Sequence, residues 1–139
     1  MMEKSLRPFL ESIADRVFPP DELGPGGCDI GAAEYVRRRL AGPRSADRLA
    51  VAALQDHLDA SAREHWGAPF CDVGAPHQER LIEAILADDA QADVETVATL
   101  RLLIDMTVEG LFADPGHGGN RNEAGWRLLA GMAYPPRAR

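Results

Sequence analysis

Apolar residues along this chain recur at helical spacing. Leu6, Phe9, Leu10, Ile13, Val17 and Phe18 line one face of a first helix, with Ser5 as its candidate cap and Pro19-Pro20 as its stop. The turn-rich "PPDELGPGGCDIG" that follows has no period and reads as a connection. A short second helix is predicted from about Gly31 to Leu40, with Ala32, Val36 and Leu40 inward. "AGPRS" ends it, and Ser45 is the candidate cap of a third helix. That helix turns Leu49, Leu54, Leu58, Ala62 and Trp66 to one side and charge to the other. "GAPFCDVGA" reads as a loop. Pro76 suits the first position of a fourth helix, with Leu81, Ile82, Ile85 and Leu86 inward. The polar "ADDAQAD" separates it from the fifth.

The fifth helix, Val94 to Phe112, carries a stripe of Val97, Leu100, Ile104, Val108 and Leu111, widened by Leu102, Leu103 and Met106. A helix that is apolar round most of its circumference is expected at the centre of a fold. Arg101 and Asp105 stand four apart, a spacing that lets them pair. Gly110 permits a close approach near the helix end. A short sixth helix is predicted from Arg121, where Asn120 and Glu123 have the spacing of a capping box. "GMAYPPRAR" leaves as an extended tail. No repeat and no strand alternation is visible. The expectation is all-α: a compact single domain over residues 1–139, with five or six helices joined by long Gly/Pro-rich loops.

Length and charge narrow the function. A chain of 139 residues is one domain with enough surface to bury for its own core. A formal charge of -7 and a pI near 5.0 argue against a general binder of nucleic acid or membrane surfaces. The run Arg37-Arg38-Arg39 reads as the solvated side of a helix. No stretch reaches the ~18 apolar residues of a membrane span. The N-terminus shows neither the apolar core of a signal peptide nor a twin arginine, so a soluble, cytoplasmic protein is expected. Cys28 and Cys71 fall in predicted loops, form no CxxC and make no disulfide scaffold.

Candidate chemistry is sparse. "GGCDIG" and "GHGGNR" contain no G-x-G-x-x-G and no P-loop, and no strand precedes them. His57 and His65 share a helix face but nothing resembles H-E-x-x-H, so they and His77 read as exposed surface histidines and no metal is expected. There is no G-x-S-x-G; Ser5, Ser12, Ser45 and Ser61 sit at caps or within a helix. Asp88-Asp89 lies in the polar connector, where solvation is the default.

What remains is "DPGHGGNRNEAGW", Asp114 to Trp126. Asp114-Pro115 starts a turn. Gly116, Gly118 and Gly119 permit positive φ or close contact. Asn120, Arg121 and Asn122 can bond backbone groups. His117 with Asp114 is either an acid–base pair or, preferably, a hydrogen bond that locks the loop. Trp126 and Tyr134 are aromatic anchors of the kind that, with Arg, dominate binding hot spots. Two readings stand: a rigid element that holds another protein, or a loop sewn onto its own core.

The segment "LLIDMTVEGLFADPGHGGNRNEAGWRLLAGMAYPP" resembles the C-terminal signature of the gluconate 2-dehydrogenase subunit 3 family. The positions that carry the resemblance are Gly110, Phe112, Asp114, Pro115, Gly118, Gly119, Asn120, Arg121, Gly125, Trp126, Gly131 and Pro135. "LESIADRVFPPDELGPGGCDIGAAEYVRRRL" is similar to the family's front half, and "PFCDVGAPHQERLIEAI" more loosely to its middle. The resemblance implies a non-catalytic accessory subunit with no cofactor of its own. It implies a large partner subunit of the glucose-methanol-choline type, which holds FAD and the catalytic base and oxidises a sugar or alcohol. Exported members bring a twin-arginine signal, and a cytochrome c subunit often completes the complex. The lack of such a signal here argues against both, and points to cytoplasmic members that are similar to small subunits of glycoside 3-hydroxyl dehydrogenases. "GHGG" departs from the family, which commonly has a tyrosine or similar residue there, so His117 is a local variation. The implied interface or structural-loop residues are Asp114, Pro115, His117, Gly118, Gly119, Asn120, Arg121, Trp126 and Tyr134. The alternatives are a binding or chaperone-like module for another partner and, last, a stand-alone acid–base enzyme using His117 and Asp114.

Overall fold

The computed structural model describes residues 5–21, 24–87 and 93–127. Asp88-Asp89, Gly131, Tyr134, Pro135 and the expected C-terminal tail lie outside them. Within the described residues the chain is all-α: α1 (Arg7–Val17), α2 (Gly27–Ile30), α3 (Ala32–Ala41), α4 (Arg48–Trp66), α5 (Ala75–Ala87) and α6 (Val94–Phe112), with short 3-10 turns at Ser45–Asp47, Phe70–Asp72, Pro115–His117 and Arg121–Glu123.

The helix stops follow the sequence more closely than the starts. Pro8 occupies the first turn of α1, where its missing N–H costs nothing. Ser5 does not cap that helix; Leu6 holds the capping position without a side-chain bond. Nor does Ser45 cap α4. It opens a 3-10 turn, and α4 begins only at Arg48. α5 starts one residue before Pro76, at Ala75.

α2 is a helical turn inside the stretch that read as a connection, and it carries Cys28; Cys71 likewise sits in a 3-10 turn. Backbone contact explains α2. A Cβ on Gly27 would run into the Ala14 carbonyl of α1, so only glycine lets the two segments touch. Gly27 N–H donates to Phe18 O at 2.7 Å and Cys28 N–H to Asp15 Oδ1 at 3.0 Å, fastening the turn to the end of α1. Gly31, at φ 95°, then redirects the chain into α3.

α6 packs against each of α1 to α5, as its apolar circumference requires. Its buried face is not the expected stripe. Val97, Leu100, Leu103, Met106, Gly110 and Leu111 are buried, Ile104 is only partly so, and Val108 is exposed. α3 sets this orientation by crossing at Gly110, where a Cβ would stand 3.0 Å from Tyr35 and 3.1 Å from Ala32 Cα. Tyr35 also donates its hydroxyl to Glu109 at 3.1 Å. On α4 the buried face is Val51, Leu54, Leu58 and Ala62, while Leu49 is 84% exposed. Two residues from Val51 is about 200° round a helix, which puts Leu49 on the far side. The buried polar side chains of Asp59 and Gln78 are matched. Asp59 accepts Phe70 N–H at 3.0 Å and Gln78 donates to Phe70 O at 2.9 Å, so both main-chain groups of that turn are bonded while its ring packs edge-on against Phe9.

Candidate functional site

The glycine loop begins where α6 ends. Asp114 Oδ1 accepts the Gly116 N–H at 2.9 Å, an Asx turn that starts Pro115–His117. What joins Asp114 to His117 is a main-chain bond, His117 N–H to Asp114 O at 2.9 Å, and the His117 side chain is exposed. Gly118 then takes φ 98°.

The loop returns to α6 without side chains between them. A Cβ on Gly119 would overlap the Gly110 carbonyl oxygen, and one on Gly125 would overlap that of Leu111. Asn120 sits fully buried between these contacts, at φ 49°. Asparagine tolerates that left-handed conformation better than other side chains do. Its Nδ2 donates to Ala113 O at 2.9 Å, and its Oδ1 accepts Gly125 N–H at 2.7 Å and Trp126 N–H at 3.2 Å. The expected capping box is therefore not formed. Asn120 skips the 3-10 turn Arg121–Glu123 and bonds the helical residues beyond it, because Asn120, Asn122 and Glu123 all have positive φ. Trp126 is exposed, and its indole N–H donates to Phe112 O at 2.7 Å.

Two arginines flank the loop. A Cβ on Gly31 would lie 2.7 Å from Gly118 O and 2.8 Å from Arg121 Nε, so Arg121 crosses the α2–α3 junction. A Cβ on Gly118 would meet the Arg38 guanidinium at 3.0 Å. Arg38 is itself held by Glu34, at 2.9 Å, and Glu34 takes Arg37 in two bonds of 2.7 and 2.8 Å. Hydrogen bonding to Arg37, aided by Arg38 against the cost of burial, lowers the Glu34 carboxyl to about 2. Arg37 and Arg38 are exposed as expected of a solvated face; Arg39 instead lies 5.9 Å from the Tyr35 ring centre.

Of the predicted loop residues, Gly119 and Asn120 are buried in the chain's own core, Pro115 and Gly118 are half-buried, and Asp114, His117 and Arg121 are exposed. Sequence reasoning missed Gly31 and the Glu34–Arg38 pair beneath the loop; the glycine was visible but its partner was not. His57 and His65 are exposed, whereas His77 stacks on Trp66 with ring centres 4.1 Å apart, half-buried rather than free. Both cysteines are free thiols whose pKa is raised chiefly by burial, with nearby carboxylates adding to it. Among the described residues no three His, Cys, Asp or Glu side chains converge on a metal position, and no helix is long and apolar enough to cross a membrane.

No curated protein and no solved structure matches this chain. The family model for gluconate 2-dehydrogenase subunit 3 matches it over residues 5–131, from just before α1 to beyond the glycine loop. The chain belongs to the gluconate 2-dehydrogenase subunit 3 family.

Proposed function

We propose that this chain is the non-catalytic subunit of a cytoplasmic dehydrogenase, stabilising and helping to assemble a large FAD-containing partner of the glucose-methanol-choline type that oxidises a sugar or glycoside at its 3-hydroxyl. The family match across residues 5–131 carries this reading. The loop geometry supports it. Gly119 and Gly125 lie against α6 backbone to backbone, and Asn120 is buried, so Arg121, His117 and the open part of Trp126 stand on a rigid base. A preorganised surface loses little conformational freedom on binding. Trp126 has its N–H satisfied internally and is 40% exposed, leaving apolar surface for a partner to cover.

Co-expression with a large flavoprotein of the glucose-methanol-choline type from the same genome tests the proposal. The expected result is a heterodimer by native mass measurement, with flavin content and sugar oxidation that collapse when this chain is omitted, and a product carrying its new carbonyl at position 3. A large subunit equally soluble, flavin-loaded and active alone would refute it.

A further inference from the structure

A groove of about 870 Å³ opens between the start of α1, the end of α3 and the start of α4. The buried side chains of Leu10 and Leu40 contribute its apolar depth, and Arg7, Arg37 and Arg48 line it together with Asp56. Leu49 also lines it, 84% exposed, so folding of the chain gives this leucine almost no burial.

The electrostatics here oppose those of the whole molecule. Residues 34–48 hold five arginines against Glu34 and Asp47, in a chain of formal charge -7. Internal ion pairs do not exhaust these arginines. A guanidinium has about five N–H donors. Arg7 spends one on Glu11 and Arg37 two on Glu34. Glu34 serves Arg38 as well, so one carboxylate faces two cations. Part of the arginine excess complements the negative end of α3. That accounts for Arg38 and Arg39 in the last helical turn but not for Arg48, which begins another helix, nor for an exposed leucine beside it.

We propose that this groove seats an acidic, amphipathic segment of the catalytic partner. One large apolar side chain of that segment covers Leu49 and enters over Leu10 and Leu40, and carboxylates on either side meet Arg7, Arg37 and Arg48. The assignment of the occupant to the catalytic subunit rests on the function proposed above. The arginines select the sign of the partner and the planar guanidinium matches a carboxylate with two parallel bonds. The leucines require that the partner bring apolar surface as well, which a free anion or a nucleic-acid backbone does not.

The test compares the wild-type chain with the double variant Arg48→Glu, Leu49→Asp in binding to the co-expressed catalytic subunit. Both side chains are exposed in the free chain, so its helix content and melting temperature should not change. The expected result is a dissociation constant raised roughly tenfold or more, with wild-type affinity falling as salt rises. Binding by the double variant within about twofold of wild type would overturn the groove while leaving the functional reading intact. If the wild-type chain forms no complex at all, the functional reading fails and the proposed occupant with it. A wild-type homodimer that the double variant breaks would give the groove to a second copy of this chain. A marked loss of thermal stability on deleting residues 1–4 would give it to the chain's own first residues. Either result overturns the proposal.

Discussion

Replacing Asn120 by alanine should release the glycine loop from α6. The substitution removes three hydrogen bonds, at 2.7, 2.9 and 3.2 Å, from a side chain with no exposed surface. At about 0.5–1.5 kcal/mol net for each bond, the loss is about 2–4 kcal/mol. The Gly125 N–H is buried and would keep no protein partner from this side chain, which favours the upper end. Alanine must also take φ 49°, at a further cost of about 1 kcal/mol. Two companion variants separate these contributions. Asn120→Gly keeps the backbone conformation and loses the bonds, so it should fall between wild type and alanine. Asn120→Asp keeps the two acceptor bonds but turns a donor to Ala113 O into a repelling oxygen. Urea unfolding followed by circular dichroism gives the global values. If the loop opens on its own, the loss will show instead as faster hydrogen exchange at the Gly125 and Trp126 amides. An alanine variant with unchanged unfolding midpoint and unchanged exchange at both amides would refute the role assigned to Asn120.

Gly119→Ala should destabilise by more than about 2 kcal/mol, because the new methyl collides with backbone rather than with a side chain that can move; an unchanged melting temperature would contradict the contact with Gly110. Leu58→Ala, at a position with no exposure, should cost about 2–5 kcal/mol, whereas Leu49→Ala should stay within about 0.5 kcal/mol; equal losses would show that the face of α4 is misassigned. The Glu34 carboxyl is held at about 2, below its ordinary 4.5, so its contribution is complete above pH 4.5 and is lost as pH falls towards 2. Unfolding midpoints of wild type and Glu34→Gln should therefore converge on acidification over that interval, and parallel curves would argue against the Arg37–Glu34–Arg38 cluster.

Legibility in the sequence depended on whether a contact is made by side chains. Ala32, Val36 and Leu40 were readable as an inner face because apolar periodicity reports side-chain burial directly. α2 was not, because it docks on α1 through Gly27 and main-chain bonds, which leave no hydrophobic signature. Leu49 misled because its distance in sequence from Leu54 puts it about 140° round the helix, off the face that Leu54, Leu58 and Ala62 share. Val108 misled for a related reason: α6 is apolar on nearly every side, so its pattern does not say which side neighbours cover. The glycine loop was half legible. Its glycines announced close contacts, but the surfaces they touch, Gly110 and Leu111, lie on another element. The Asn120/Glu123 spacing suited a capping box, but positive φ at Asn120, Asn122 and Glu123 sends the Asn120 side chain onward to Gly125 and Trp126.

Gly110 meets the Ala32 main chain and Tyr35 of α3 on one side and carries, through its carbonyl, the contact with Gly119 on another. Side-chain contacts can absorb small displacements by changing rotamer, but backbone against backbone has no such slack. A shift of α3 across α6 must therefore move the loop with it, and a force on the loop must be felt at the Tyr35–Glu109 bond. Fluctuations of the two should be correlated, so that whatever rests on the loop also senses how α3 sits on α6.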